Sequence, residues 1–424
     1  MRGPIANPLY LDMLKAAQQL IMAIVSWLVF WPIIKIVPRK KGLVAVLGRS
    51  GFSDNSKHFF AHTAYSSSID AVFLAKDADI LKAIQSAGGK ALIHPSIRSM
   101  LCLIRCQYLV SDVSDWYNYG VYPLTSGAKR VQMWHGVPLK LIELADYRER
   151  IADISMLQRY LLWLYKTVIG RYPTYDLVIS TSSWVSDNAF KSSFRSRRIE
   201  AFGYPRNDVL LSNHISSEIT LKLLELNVDQ QLRESIREAK TDEKLCCLYA
   251  PTFRRSLKSP FDEYLNLEEI SKFSNEHDIL FIIKLHPFVK QKISCDLSNM
   301  VFCGSSTDIY PLLRDIDILI TDYSSIYFDF LLLNRPMLFF PYDLDDYLKK
   351  DRSMYFEYSQ ITPGPKCLTQ RMLLTHLAML KNSLDNDEYA DSRLKLRSLI
   401  HDHHDALASV RLAAFCAGYE DSKV

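Results

Sequence analysis

Two histidines follow apolar stretches that the sequence predicts as β-strands. His135 comes directly after residues 131–134, and His286 comes shortly after residues 279–284. An imidazole whose pKa is about 6.5 can accept a proton at neutral pH, so a histidine at the carboxyl end of a strand is a candidate general base. A histidine that only caps the turn is the alternative. Lys284, two residues before His286 and on the same face, would add a positive charge for an anionic group.

A turn rich in hydroxyl groups joins another predicted strand to an apolar helix. Four polar side chains stand at this turn, namely Thr321, Asp322, Ser324 and Ser325. The free N–H groups and partial positive charge of a helix N-terminus favour phosphate, whereas plain helix capping is the alternative. Asp329 lies about one helical turn further on, where its carboxylate could accept hydrogen bonds from ribose hydroxyls or face solvent.

A third polar group follows the predicted strand at residues 245–250. Thr252 and Arg254 come directly after it, and a hydroxyl beside a guanidinium suits a phosphate. Ligands of open parallel sheets bind outside the carboxyl ends of the strands. Polar residues at four strand ends therefore predict a single anion-binding, catalytic cleft.

The strands that must carry these residues fall into two series. Most are continuous apolar runs separated by helical stretches, a pattern typical of parallel sheets that helices cover on both faces. We therefore predict an α/β protein with two Rossmann-like lobes and a cleft between them. The first series comprises residues 42–47, 70–74, 91–94, 108–110, 131–134 and 177–180, and the second comprises 245–250, 279–284, 300–303, 318–321 and 337–340.

The predicted organisation has five parts. A polar, helical stretch connects the two lobes, and a long amphipathic helix ends the chain, with residues 401–405 on its solvent face. The parts are a membrane-associating helical segment (1–38), the first lobe (39–206), the helical connection (207–244), the second lobe (245–391) and the C-terminal helix (392–424).

The amino-terminal segment contains an uncharged apolar run at residues 20–34, followed by a basic cluster at residues 39–41. A membrane-spanning helix needs about 20 apolar residues, so this run favours a shallow anchor over a true span or a buried core helix. The basic cluster predicts that the rest of the chain is cytoplasmic. Residues 139–172, which interleave aromatic and basic side chains, are a second candidate membrane contact; ordinary packing within the lobe is the alternative.

Composition excludes several classes of protein. The chain has 424 residues, of which 48% are apolar, so wholesale disorder is excluded. Lys and Arg number 51 against 47 for Asp and Glu, a balance that argues against a dedicated nucleic-acid binder. The eight cysteines show no paired zinc spacing, so we expect buried free thiols in a reducing compartment and no metal site.

The ordered motifs resemble those of the CDP-glycerol glycerophosphotransferases, the teichoic acid primases and polymerases and their capsule-synthesis relatives. The resemblance runs from about residue 39 to residue 369. It is carried by WHGVPLK (134–140), YPRND (204–208), YAPTFR (249–254), KLHP (284–287), ITDYSS (320–325), NRPMLFFPYDLDDY (334–347) and PGP (363–365).

This resemblance implies a GT-B fold and transfer of glycerol 3-phosphate from CDP-glycerol to a hydroxyl of a lipid-linked or polyol-phosphate acceptor, with release of CMP. It implies that the first lobe binds the acceptor and the second binds CDP-glycerol. The motif histidines carry over to His135 and His286. The nucleotide-diphosphate site carries over to the ITDYSS turn, and Thr252 and Arg254 match the APTxR motif. Protein cations suffice for the reaction without a tightly bound metal, and Mg²⁺ assisting the substrate is compatible with it.

The resemblance also implies a location at the cytoplasmic face of the membrane, with the membrane surface as a partner. A homo-oligomer is compatible with it. Val137 replaces the threonine of the family's WHGTP motif, and the extra domains of many polymerases are not evident, which leaves primase and polymerase both open. CDP-ribitol or another activated polyol is an alternative donor, and a nucleotide-binding scaffold without turnover is the alternative of another class.

Overall fold

Two parallel β-sheets form the centres of the two predicted lobes. The computed structural model describes residues 8–49, 51–117, 120–212, 217–252, 264–284, 299–304, 307–344, 347, 353–382 and 387–419. The first lobe and the segment before it contain α1 (Pro8–Ile36), β1 (Lys40–Leu47), α2 (Asp54–Thr63), β2 (Asp70–Ala75), α3 (Ala78–Ser86), β3 (Ala91–Ile93), α4 (Ile97–Arg105), β4 (Cys106–Ser111), α5 (Val121–Leu124), β5 (Lys129–Gln132), α6 (Glu143–Arg150), α7 (Met156–Val168), β6 (Thr174–Tyr175), β7 (Leu177–Ile179), α8 (Ser183–Val185), α9 (Lys191–Ser193), β8 (Arg195–Ser196) and β9 (Ile199–Glu200).

The connection and the second lobe follow. Short 3₁₀ turns occur at Pro205–Asn207, Tyr310–Asp315 and Leu331–Leu333. The elements are α10 (Asp208–Leu211), α11 (Glu218–Glu225), α12 (Gln230–Thr241), β10 (Leu245–Ala250), α13 (Leu267–Glu276), β11 (Ile279–Lys284), β12 (Met300–Cys303), β13 (Ile318–Thr321), α14 (Ile326–Phe330), β14 (Met337–Phe339), α15 (Tyr358–Ile361), α16 (Gln370–Asn382), α17 (Ala390–Ile400) and α18 (Ala408–Ala417).

Both sheets are parallel and place their first strand in the interior. The first has the order β3-β2-β1-β4-β5-β7-β9 and the second β12-β11-β10-β13-β14. In the first, Val46 pairs with Phe73 on one side and with Val110 on the other. Each of the eleven predicted strands overlaps an observed one, so the prediction of parallel α/β lobes is confirmed. It succeeds because strands buried on both faces are apolar at every position.

The predicted single C-terminal helix is wrong, because the tail forms two helices, α17 and α18. Between them His401 is 3% exposed and its Nε2 lies 2.7 Å from the carbonyl oxygen of Phe328. Asp402 accepts hydrogen bonds from the backbone N–H and the hydroxyl of Ser183, both at 2.8 Å. Contacts with residues distant in sequence therefore break the helix and bury His401, which was expected to face solvent.

The C-terminal helix α18 and a segment of the second lobe both contact the first lobe. The ring of Phe415 in α18 packs 5.7 Å from the ring of Tyr108 in β4. The segment at residues 353–356 pairs with the loop after His135, because Tyr355 N–H donates to the carbonyl of Leu139 at 2.9 Å. These contacts connect residues that are far apart in the sequence across the two lobes.

The amino-terminal helix α1 has 29 residues and is longer than the apolar run alone. Its segment Lys15–Ile36 has a mean hydropathy of 1.9, so by length and composition it could cross a membrane. Only 11% of the apolar window is buried, so the interpretation as a buried core helix is wrong. Ser26 holds this helix to the first lobe by donating to the carbonyl of Gly120 at 2.5 Å.

The cysteines of the described residues number seven, and all are free and buried. Burial raises the pKa of the Cys106 thiol to about 12, which keeps it protonated. The prediction of buried free thiols is confirmed for these seven, and Cys295 lies outside the described residues.

Candidate active site

His135 lies on a tight turn at the carboxyl end of β5. The turn needs a left-handed backbone at Trp134, whose φ is 57°, and a positive φ of 136° at Gly136. Two polar side chains stabilise the unusual conformation of Trp134. Its N–H donates to Gln132 Oε1 at 2.8 Å, and its carbonyl accepts a hydrogen bond from Asn55 Nδ2 at 2.8 Å. The position of His135 is thus fixed by the strand before it and by α2.

The ring of His135 is oriented by a backbone carbonyl. Its Nδ1 lies 3.1 Å from the carbonyl oxygen of Asp112, which can only accept, so Nδ1 carries the proton and Nε2 keeps a lone pair. The imidazole also stacks on Trp134, with a centroid distance of 4.1 Å. No residue in the described part of the chain hydrogen-bonds to Nε2. In this tautomer Nε2 is the nitrogen whose lone pair can accept a proton from a substrate.

The electrostatics of this turn keep His135 neutral. Burial and the nearby Arg49 lower the pKa of His135 to about 4, while Asp54 acts in the opposite direction. Burial raises the pKa of Asp54, but Arg206 and His135 outweigh it, so that pKa ends below its ordinary value. Burial and the neighbouring Asp54 raise the pKa of Asp112 to about 7. A neutral imidazole is the form that a general base needs.

The turn after His135 packs directly against the hydroxyl turn of the second lobe. A Cβ atom added to Gly136 would lie 2.9 Å from Ser325 Oγ and 2.9 Å from Arg206 Nη2. Real Cβ atoms essentially never approach so closely, so any side chain here would force Ser325 or Arg206 to shift. Residues that are 189 positions apart by numbering, 136 and 325, are thus in close contact.

The hydroxyl turn divides into an inner and an outer pair. Thr321 and Asp322 are fully buried: the Thr321 hydroxyl donates to the carbonyl of Ala250 at 2.7 Å, and the Asp322 carboxylate accepts from the N–H of Thr252 at 2.8 Å. Both therefore brace the ends of β10 and β13. Ser324 and Ser325 are half-buried and precede α14, which has five residues.

Asp329 does not have the exposed position that binding a ribose requires. The residue is fully buried, and protein groups bind both of its oxygens. Arg206 Nη2 and the hydroxyl of Tyr310 donate to Oδ2 at 2.5 and 2.7 Å, and Asn207 Nδ2 donates to Oδ1 at 2.9 Å. The expectations of ribose binding and of a solvent-facing carboxylate are both wrong for this geometry.

Lys284 ends β11, next to the end of β10. Its ammonium donates to the carbonyl of Thr307 at 2.8 Å, a bond that uses one of its three donors. Burial lowers the pKa of Lys284. Because β10 and β11 pair in parallel, Lys284 and Thr252 lie at the same edge of the sheet. The predicted site residues Arg254 and His286 lie outside the described residues.

Several charged residues of the cleft were not predicted from the sequence. Asp54 and Asp112 face His135 from α2 and from the end of β4, and Arg206 contacts both lobes. Deeper in the same interface Lys57 donates to Asp308 at 2.7 Å, and both side chains are almost fully buried. Arg206 had a sequence signal, since it belongs to the YPRND motif, whereas the others had none. In the described part of the chain no group of three His, Cys, Asp or Glu side chains could hold a metal ion.

Comparison with known proteins identifies relatives across most of the chain. The family model described as CDP-glycerol:poly(glycerophosphate) glycerophosphotransferase matches residues 29–417. A teichoic acid poly(glycerol phosphate) polymerase of Bacillus subtilis (strain 168) is 30% identical over 284 residues, which are 64% of this chain and 34% of the polymerase. The chain thus spans about a third of that relative's length.

Two further comparisons cover a larger share of the related protein. A teichoic acid ribitol-phosphate primase of Bacillus spizizenii is 27% identical over 334 residues, 76% of this chain and 77% of the primase. A solved structure of the wall teichoic acid polymerase TagF has a TM-score of 0.67 and 22% identity, with 97% of each chain covered. At this identity the structural likeness shows a shared fold.

Proposed function

Because the chain belongs to the CDP-glycerol:poly(glycerophosphate) glycerophosphotransferase family, we propose that it transfers glycerol 3-phosphate from CDP-glycerol to an acceptor hydroxyl and releases CMP. The product would belong to a teichoic acid or capsule polymer. The observation that carries the proposal is the contact between the turn of His135 and the hydroxyl turn of the second lobe, at Gly136 and Ser325. It supports the proposal because the turn that carries the candidate base lies next to the turn whose hydroxyl groups are the candidate phosphate ligands.

In the proposed reaction, His135 is the general base. An acceptor hydroxyl attacks the phosphorus that bears glycerol, a new O–P bond forms, and His135 Nε2 takes the hydroxyl proton. The bond between that phosphorus and the oxygen of the CMP phosphate breaks, and CMP leaves with the electron pair. The Asp112 carbonyl oxygen, 3.1 Å from Nδ1, holds His135 in the tautomer whose Nε2 is unprotonated. The ring therefore need not change its tautomer before proton transfer.

Charge on the departing CMP phosphate requires donors at the edge of the second sheet. We assign Ser324, Ser325 and Lys284 to this task, because phosphoryl transfer depends chiefly on positioning and electrostatic stabilisation. By family resemblance Arg254 would add a positive charge and His286 would supply a further positive charge or a proton. Thr321 and Asp322 were predicted to bind the phosphates, but both are buried and bonded to the end of β10, so we propose instead that they and Asp329 hold the site in place. Thr252, whose N–H is bound to Asp322, remains a predicted phosphate ligand.

CDP-ribitol is the second candidate donor, favoured by the likeness to a ribitol-phosphate primase over 76% of this chain. One experiment decides between the donors. The purified full chain is incubated with a synthetic lipid-linked acceptor and either CDP-glycerol or CDP-ribitol, and CMP release and product mass are measured. CMP release with CDP-glycerol alone supports the first proposal, release with CDP-ribitol alone supports the second, and release with neither contradicts both. One added unit identifies a primase and a ladder identifies a polymerase.

We also propose that α1 and α7 dock the enzyme on the cytoplasmic membrane surface. Helix α7 buries none of its side chains, and Met156 and Leu157 are 86% and 68% exposed. It packs beside α1, where Leu28 is 72% exposed, and Tyr165 donates to Gln19 at 2.8 Å between the two helices. A joined apolar surface next to basic residues suits an anionic lipid surface.

A further inference from the structure

Arg206 is a buried cation at the junction of the two lobes. It sits in the 3₁₀ turn Pro205–Asn207 and is 3% exposed. Its backbone N–H donates to Asn55 Oδ1 at 3.2 Å, and its guanidinium lies 4.5 Å from the ring centre of Tyr310. A charge buried this deeply lowers the stability of the fold unless it is paired. The groups that pair with the Arg206 guanidinium therefore indicate what this residue does.

The guanidinium contacts each lobe through a carboxylate. Nη1 donates to Asp54 at 2.7 Å in the first lobe, and Nη2 donates to Asp329 at 2.5 Å in the second. Nη1 also donates to the backbone carbonyl of His135 at 3.0 Å. A single planar group thus joins the second lobe, α2 and the turn that carries the candidate base.

We propose that Arg206 is a positioning residue that sets the distance of His135 from the phosphate site of the second lobe, a role that rests on the proposed function. The guanidinium is rigid and its donors have fixed directions, so a shift of Asp329 moves the carbonyl of His135 with it. Lysine has the same charge but only a single flexible donor group, so it cannot maintain all three contacts.

A purely structural ion pair is the competing interpretation, and the chain contains a matched control for it. Arg393, in α17, is 2% exposed and pairs with Asp387 at 2.5 Å, and neither residue has a role in the proposed active site. Arg393→Lys therefore removes a similar buried arrangement without a link to His135. Arg206→Lys alters the centre of the proposed link, and Asp329→Asn alters its end in the second lobe.

The test measures kcat, the dissociation constant of CDP-glycerol and the His135 signal in the full chain. The signal comes from ¹³C-labelled histidine and is assigned through its loss in His135→Gln. We expect Arg206→Lys to lower kcat about 100-fold, as expected for a displacement of about 1 Å, with a dissociation constant within about threefold of wild type. The double variant Arg206→Lys with Asp329→Asn should have a kcat only slightly lower than that of either single variant, because both substitutions break the same link.

The spectroscopic readout does not depend on turnover. The His135 signal and its titration should change in Arg206→Lys and Asp329→Asn and stay as in wild type in Arg393→Lys. An unchanged signal in a folded Arg206→Lys variant overturns the proposal, as does an equal loss of kcat in Arg393→Lys. If the wild type releases no CMP from either donor, the proposed function fails, and the His135 signal alone still decides whether Arg206 positions the turn.

Discussion

Ser325 Oγ lies 2.9 Å from the position that a Cβ atom would occupy on Gly136. These residues belong to different lobes, and each is next to a residue with an assigned chemical role, His135 or Ser324. The contact therefore shows that the turn of the candidate base and the hydroxyl turn lie against each other. A substitution at Gly136 therefore tests the roles proposed for His135 and Ser324.

We predict that Gly136→Ala lowers kcat about 100-fold, because the added methyl group must displace Ser325 or Arg206 from the turn. CMP release under saturating CDP-glycerol measures the effect. Gly418→Ala is the control, since Gly418 also has a positive φ, 84°, but a Cβ there would meet no atom within 4 Å. The control should lose about 1–2 kcal/mol of stability through backbone strain and retain kcat. Wild-type kcat in a folded Gly136→Ala variant would contradict the close approach of the two turns.

The inner and outer residues of the hydroxyl turn should respond differently to substitution. Ser325→Ala removes a proposed phosphate donor, so we expect about tenfold weaker binding of CDP-glycerol with an unchanged free energy of unfolding. Thr321→Val leaves the carbonyl of Ala250 without its donor and should cost about 1–3 kcal/mol of stability with unchanged binding. Calorimetric titration and urea denaturation measure the two quantities. The reverse pattern would place the phosphates at Thr321.

The pH dependence of kcat/KM should reflect the low pKa of His135. A general base works only when deprotonated, so activity is lost as pH falls through its pKa, here about 4. We expect kcat/KM to stay constant from pH 8 to about pH 5 and to fall below it. Tryptophan fluorescence at each pH separates this loss from acid unfolding. A half-maximal point near the ordinary histidine value would show that burial does not keep His135 neutral.

Sequence patterns were sufficient for the sheets. Strands such as β10 and β11 are apolar at nearly every position, and polar residues follow where the strands end. Position along one strand therefore predicted Ser324, Ser325 and His135 as candidate site residues, and the turns that carry them lie together in the structure. The apolar strands and the polar residues after them are visible in the local sequence because each depends on only a few neighbouring residues. Burial makes the strand apolar, and exposure makes its end polar.

The partners of those residues could not be read from local pattern. Asp329 follows the hydroxyl turn as a ligand-binding carboxylate would, but its partner Arg206 lies 123 residues away in sequence. The break in the C-terminal helix depends on Asp402 reaching Ser183, which is 219 residues away. Such contacts form only when the lobes assemble, and they override the local helical pattern.

The proposed membrane surface predicts a specific loss of vesicle binding. Replacing Leu157 and Leu161 by Glu places two charges on the exposed side of α7, where the leucines are 68% and 54% exposed. We expect the full-length double variant to float less with anionic lipid vesicles than wild type and to keep its stability. Leu221→Glu, at a leucine that is 45% exposed on α11, should float as wild type does. Unchanged flotation of the double variant would rule out a docking role for α7.

In the proposed reaction His135 performs chemistry at a site where other residues bind the donor. Calorimetric titration of CDP-glycerol and CMP release are therefore measured together for His135→Ala and wild type. We predict a dissociation constant within about threefold of wild type and a kcat lowered about 100- to 10,000-fold, the contribution of a general base. A variant that binds CDP-glycerol and turns it over at the wild-type rate would contradict the account.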